Sequence, residues 1–147
     1  MGSTTRLGDW YANLMFLRPQ WLILVASDRT LLPVVVPARD LPNVVPRIRE
    51  SVAELLQAIG IGEADILAET AEMATVQFAK TASPRVLGVM NNMAFLLRHH
   101  LAETDSLLEV SLMLAETPFS NERTMDFPRD TVRALFGLPR MTGWSTR

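Results

Sequence analysis

The stretch WYANLMFLRPQWLILVASDRTLLPVVVP, residues 10–37, decides the fold of this chain. It contains apolar runs at 10–17, 21–26 and 30–36, rich in aromatic and β-branched residues and separated by short polar breaks. Runs of this length and composition predict strands, and the short connections predict that they form an antiparallel meander. Because Pro33 lies inside the third run, we expect its missing N–H to face a sheet edge or a bulge.

The rest of the chain reads mainly as helices. Apolar residues at helical spacing predict helices over 47–59, 63–73, 84–101, 105–116 and 128–136. Gly60 is expected to end the first of them in a left-handed cap, and Ser83 and Pro84 to open the third. The alternating segment 74–80 predicts one late strand that joins the meander. The predicted fold class is therefore α+β: an N-terminal antiparallel meander plus one late strand, covered by four or five helices.

Helical spacing also assigns a buried face to each helix. The apolar side of the first helix carries Ile48, Val52, Leu55, Leu56 and Ile59, and the buried face of the third is expected to carry Leu87, Met90, Ala94, Leu97 and Leu101. Ile66, Leu67 and Thr70 lie near one face of the second helix, and Leu108, Leu112 and Ala115 are in register on the fourth. In the first strand, Trp10, Ala12 and Leu14 are expected to point inward, since alternate residues face one side of a sheet. The acidic residues of the first two helices, Glu50, Glu54, Glu63, Asp65, Glu69 and Glu72, are interpreted as solvated faces.

Length and composition indicate one soluble domain. The chain has 147 residues, 48% of them apolar, and we expect a single domain 1–147 with an ordered core over 6–138 and a loose tail over 139–147. No apolar run is long enough to cross a bilayer, and no secretory signal is evident, so a cytoplasmic location without membrane association is expected. Cysteine is absent, which excludes disulfides and thiolate chemistry. A net charge of −2 argues against broad nucleic-acid binding.

The first candidate site lies where the late strand passes into the third helix. Lys80 ends the predicted strand and Arg85 lies in the first helical turn, so both side chains could face an anion at the helix N-terminus. Phosphate-binding loops normally contain glycine, and none stands between Lys80 and the helix. Surface capping with a salt bridge is the simpler interpretation of these residues.

Two adjacent asparagines, Asn91 and Asn92, stand inside the third helix, where asparagine has poor propensity. Asn91 shares a stripe with Phe95 and Arg98. The favoured interpretation is a buried amide that satisfies backbone groups of a neighbouring strand, and the alternative is recognition of a ligand or partner. His99 and His100 point about 100° apart on the helix, so they do not predict a shared metal site. No cofactor or metal is predicted.

A second candidate cluster, Asp9, Tyr11 and Asn13, has one parity on the first strand, opposite Trp10. Such a face could present polar groups to a ligand. Protection of an edge strand and a tyrosine hydrogen bond account for the same residues more simply.

The motifs LGDWYANL at 7–14, DRTLLPVVVP at 28–37, KTASPRVLGVMNN at 80–92 and LAETP at 114–118 follow one another along the chain. Together they resemble DUF6933, a small bacterial family of domains of unknown function, over roughly 6–138. The family pattern Lys-Thr-x-Asn-Arg-x-Val-Leu-Gly-x-Met-Asn-Asp is altered here by Ser83, Pro84 and Asn92. If the family acts through that aspartate, the resemblance implies that this member, with Asn92 in its place, is altered or inactive.

These observations favour a non-catalytic domain that binds another macromolecule, either a different protein or a second copy of itself. The competing hypothesis is a small enzyme, or a protein that binds a nucleotide or another small anion through Lys80, Arg85 and Asn91, with Asp9 as the acidic group. A large apolar surface patch away from that corner would favour the binding domain.

Overall fold

A computed structural model describes residues 6–17, 20–73, 78–79, 84–121 and 124–141. The elements, in chain order, are β1 (Trp10–Leu17), β2 (Gln20–Ser27), β3 (Pro33–Pro37), a 3₁₀ turn (Leu41–Asn43), α1 (Val44–Ile59), α2 (Glu63–Glu72), β4 (Phe78–Ala79), α3 (Pro84–Leu101), α4 (Leu107–Ala115), β5 (Phe119–Asn121), β6 (Thr124–Asp126) and α5 (Pro128–Leu135). This is the α+β class that the sequence predicts. None of the helices in these ranges has both the length and the apolar character that crossing a bilayer requires.

The main sheet has the strand order β3-β2-β1-β4, and the predicted meander is confirmed. β1 and β2 pair antiparallel along their whole length, from Trp10 opposite Ser27 to Leu17 opposite Gln20. The third strand begins at Pro33 rather than Thr30, so the proline opens an outer strand, where a missing N–H is tolerated. β4 pairs with β1 in the parallel direction through residues 78–79, while the remainder of the predicted strand, 74–77 and 80, lies outside the described residues.

Helices cover both faces of the sheet. One apolar cluster joins Trp10, Val25 and Val34 to α1, α2 and α5. The other joins Leu22, Leu24 and Val35 to α3 and α4. Strands with two buried faces are apolar at consecutive positions instead of alternating, which accounts for the continuous apolar runs of β2 and β3.

The predicted core face of α1 is confirmed in full. Its buried residues are Ile48, Val52, Leu55, Leu56 and Ile59. The helix starts earlier than predicted, at Val44, and it ends at Gly60, whose φ of 101° is the expected left-handed cap.

The core faces of the other helices differ in part from the prediction. In α2, Leu67 is 63% exposed, whereas Glu69, interpreted from the sequence as solvated, is buried. In α3, Leu87 is 42% exposed and the buried residues are Val86, Val89, Met90, Met93 and Leu97. α4 turns Leu108 outward and buries Val110, Ser111, Leu114 and Ala115. When apolar residues occur all round a helix, helical spacing leaves two adjacent stripes that could each be the buried one. The elements that pack against the helix determine which stripe is buried.

A two-stranded hairpin, β5–β6, follows α4 and was not predicted from the sequence. Its strands have three residues each, too few for an alternating pattern to be visible. Phe119 is buried in the α3–α4 side of the core and ties the hairpin to the domain.

The first residues of the predicted loose tail make hydrogen bonds with α5. Met141 donates its backbone N–H to Asp130 Oδ1 over 2.6 Å, and Arg133 Nε donates to the Pro139 carbonyl over 2.7 Å. Asp130 is fully buried and also accepts a 3.4 Å hydrogen bond from Arg129 Nε. Residues 142–147 lie outside the described part of the chain.

Candidate functional site

The two motifs LGDW and SDRT meet where β1 begins and β2 ends. Asp9 and Asp28 are joined by two hydrogen bonds, from the Asp9 N–H to Asp28 Oδ1 over 3.1 Å and from the Asp28 N–H to the Asp9 carbonyl over 2.9 Å. Ser27 Oγ donates to the Leu7 carbonyl and accepts from the Thr30 hydroxyl. The motif residues therefore hold the strand ends together. We call Asp9, Asp28 and Arg85 the polar corner.

The carboxyl group of Asp28 is electrostatically perturbed. Its pKa is raised above the ordinary 3.8, first because burial disfavours the charged form and second because the Asp9 charge lies nearby. The hydrogen bond from Asp9 and the positive charges of Arg29 and Arg85 act in the opposite direction. The surroundings of Asp28 thus favour its neutral form more than water does.

Arg85, in the first turn of α3, extends toward this corner. Its Nη2 atom donates to the Asp28 carbonyl over 3.5 Å. Arg85 and Asp9, which the anion-site hypothesis places together, therefore both contact Asp28. Lys80 and Ser83 lie outside the described residues.

Asn91 and Asn92 are exposed on α3, so the buried-amide interpretation is wrong. Asn91 follows Arg85 by six residues, which in an α-helix is about 9 Å along the axis and about 120° around it. The two side chains thus start from different sides of α3, and a common anion site with Lys80 stays a prediction.

The polar cluster on the first strand is spread over different environments. Asp9 precedes β1 and belongs to the polar corner. Tyr11 is half-buried and packs against the apolar cluster under α3, and Asn13 is half-buried further along the strand. That Asp9, Tyr11, Asn13, Asn91 and Asn92 bind a ligand or a partner stays a prediction.

The carboxylate of the buried Glu69 binds the N-terminal segment. Its Oε1 and Oε2 atoms accept the backbone N–H groups of Arg6 and Leu7 over 3.0 and 3.1 Å. The carboxylate therefore acts as a structural acceptor. One sequence signal could have identified it: Glu69 lies three residues after Ile66, on the buried side of α2.

An exposed apolar surface lies at the opposite end of β1. Leu14, Phe16 and Trp21 are 56%, 45% and 53% exposed, and we call them the hairpin-end surface. Phe16 lies directly opposite Trp21, with ring centres 5.1 Å apart. The predicted inward position of Leu14 is wrong, because the helices that cover Trp10 and Ala12 on this face do not bury the end of the strand.

A groove connects the hairpin-end surface to α3. It has a volume of about 520 Å³ and is lined by Phe16, Leu17, Arg98, Leu101 and Ala102. Phe95, one turn before Arg98, is 64% exposed and contacts the His99 ring edge to face at 5.3 Å. Aromatic side chains and an arginine beside an apolar groove are the composition typical of protein-binding surfaces.

The two edges of the main sheet differ in how the chain covers them. β3 is covered by α4, whose Ser111 hydroxyl accepts the Val35 N–H over 3.0 Å. At the opposite edge, β4 pairs only with Trp10 and Tyr11. Within the described residues, no strand pairs with the edge of β1 that faces away from β2 from Ala12 to Leu17. This segment has no charged residue and no proline, the usual devices that prevent an exposed strand from pairing.

The fold and this surface define a small α+β domain in which, among the described residues, nothing covers the end of the β1–β2 hairpin. The chain belongs to the family described as Domain of unknown function (DUF6933), whose model matches residues 1–131, and this confirms the family expected from the sequence. Among curated proteins, none matches the chain.

Proposed function

We propose that this protein is a binding domain that recognises another protein chain through the hairpin-end surface and the adjoining edge of β1. The observation that carries the proposal is the exposure of Leu14, Phe16 and Trp21 on neighbouring strands. Exposed aromatic and aliphatic side chains that lie together, rather than scattered singly, mark interaction sites.

The position of the surface supports binding over catalysis. Leu17 lies eight residues after Asp9, so an extended strand places the hairpin end about 26 Å from the polar corner. The surface is thus apolar and remote from the polar corner, the arrangement that distinguishes the binding hypothesis from the anion-site hypothesis. A cytoplasmic location and the use of Lys80, Arg85 and Asn91 for an anion stay predictions.

Capture experiments with matched variants test the proposal. Leu14→Lys places a charge on the hairpin-end surface, and Leu67→Lys places the same charge at a comparably exposed leucine on α2. We expect the wild-type domain and Leu67→Lys to retain the same proteins from an extract of the source cells. Leu14→Lys is expected to lose them. Equal retention by all three proteins would contradict the proposal, provided that circular dichroism shows equal folding.

A further inference from the structure

We infer that the groove between the hairpin-end surface and α3 binds a short linear segment of another protein, in which an aromatic or leucine side chain stands beside an aspartate or glutamate. This inference rests on the proposed function and deepens it by naming the chemistry of the partner. It is carried by the apolar walls of the groove and by the charge of the arginine that lines it.

The walls of the groove are apolar. β1 contributes Phe16 and Leu17, and the end of α3 contributes Leu101 and Ala102. The volume of about 520 Å³ lies in the range of pockets that hold drug-sized ligands, so the groove accommodates a few side chains. A helix is about 10 Å across, and even two turns of it occupy more than this volume. The groove therefore fits an extended segment better than a helix.

Arg98 is the charged residue of the groove. It is exposed, and within the described residues its guanidinium takes part in no ion pair or hydrogen bond. The sequences of β1, β2 and α3 contain no aspartate or glutamate. The first acidic residue after α3, Glu103, is not among the described residues that line the groove.

This arrangement sets the charge of the partner. A guanidinium binds a carboxylate through two parallel hydrogen bonds, and its planar stem also tolerates apolar surroundings. The groove supplies the positive half of such a pair, and the bound segment brings the negative half. An apolar side chain beside that carboxylate then enters the groove and packs on Phe16, which is already paired with Trp21.

A second polar side chain extends the site along α3. Asn91 lies two helical turns before Arg98, which is about 10 Å along the axis and about 20° around it. Phe95 stands between them and is 64% exposed. Asn91 is exposed too, and its amide makes no hydrogen bond within the described part of the chain. Since three residues of an extended peptide cover about 10 Å, a segment held at Arg98 presents a backbone group to Asn91.

Selection from a random library of short displayed peptides tests the inference. Peptides enriched by the wild-type domain are expected to carry an acidic residue beside phenylalanine, tryptophan or leucine, and Arg98→Glu is expected to enrich lysine or arginine at that place. Arg29→Glu makes the same change of charge at an exposed arginine beside the polar corner, and it should select the wild-type pattern. No enrichment by wild type, or the same acidic pattern with Arg98→Glu, would overturn the inference.

Fluorescence anisotropy with one enriched, fluorescein-labelled peptide measures the size of the effect. Arg98→Gln should weaken binding at least about tenfold, and Asn91→Ala about two- to tenfold. Added sodium chloride should weaken binding to wild type much more than binding to Arg98→Gln, because salt screens a charge pair. An arginine in the last turn can also stabilise the helix end. If that is its whole role, Arg98→Gln lowers the melting temperature and leaves peptide affinity unchanged, which would contradict the inference.

The outcomes also separate this inference from the proposed function. If Arg98→Glu keeps the proteins that Leu14→Lys loses from a cell extract, the hairpin-end surface binds its partner without a carboxylate, and only the inference fails. If Leu14→Lys keeps them as well, both fail. Retention of labelled oligothymidine by wild type, lost with Arg98→Glu, would assign the groove to a nucleic-acid strand and overturn the inference.

Discussion

At the scale of single residues, the buried acceptor Glu69 shows how much depends on backbone groups that a sequence does not reveal. Glu69 resembles its exposed neighbours in the sequence, yet it binds the N–H groups of Arg6 and Leu7 in the N-terminal segment, 63 and 62 positions away. The sequence could indicate an acidic helix, but it could not indicate that a remote segment would arrive there with two unpaired donors. Trp10, by contrast, was predictable as core and is fully buried.

Replacing Glu69 with alanine should lower the free energy of unfolding by about 1–3 kcal/mol, because two backbone donors lose their acceptor. Urea denaturation measures the loss. Glu54→Ala, at an exposed position of α1, is the matched control and should change stability by less than about 0.5 kcal/mol. Similar losses for the two variants would argue against the structural role of Glu69.

The Asp28 carboxyl group should make stability depend on pH. Its pKa is raised in the folded protein by burial and by Asp9, so its contribution is fully present below the ordinary value of 3.8 and is lost as the pH rises through the folded pKa. Asp28→Asn cannot ionise and retains an acceptor for the Asp9 N–H. In thermal melts across an acidic pH series, the stability of wild type relative to Asp28→Asn is expected to decrease as the pH rises above about 4. A difference that stays constant or increases would refute the assignment.

At the scale of elements, the sequence predicted which segments are helices and strands better than which way they face. The run in β2 indicated a strand, but only the presence of helices on both sides explains why its residues are buried at consecutive positions. In α3 the choice between Leu87 and its neighbours as core residues depends on the position of α4 and the sheet. Which residues of an element are buried therefore depends on segments that contact it only in the folded protein.

Two leucines of α3 test its orientation. Leu97 is fully buried, so Leu97→Ala should cost about 2–5 kcal/mol through lost burial and a cavity. Leu87→Ala removes the same atoms from an exposed position, and its cost in the isolated chain should stay below about 1 kcal/mol. Chemical denaturation at low protein concentration compares them, and equal losses would mean that α3 is rotated from the described orientation.

At the scale of the whole molecule, one edge of the sheet is covered by α4, and at the other edge the described part of β4 pairs only with Trp10 and Tyr11. The sequence contained both facts in part: Ser111 lies in a predicted helix, and β1 lacks edge charges. The sequence did not show that α4 lies against β3, because the hydrogen bond between them joins Val35 and Ser111, which are 76 positions apart. Candidate surfaces that depend on such a relation were out of reach of sequence patterns alone.

The C-terminal segment should contribute to global stability through residues 139–141. A chain that ends after Leu138 loses the Met141 N–H that binds the buried Asp130, at an expected cost of about 1–3 kcal/mol. A chain that ends after Met141 keeps this bond and serves as the control. Equal melting temperatures for the two chains would show that the bond contributes little.

The contact between the two ends of the described chain has a consequence for connectivity. The Arg6 guanidinium carbon lies 5.0 Å from the centre of the Phe136 ring, so the beginning and the end of the domain are neighbours in space. A short glycine-serine linker could therefore join the segment after α5 to Arg6, and new termini could be opened between the exposed Ala102 and Glu103. Such a circular permutant should fold to the same α+β domain, because the order in which these helices and strands are synthesised is not what brings them together.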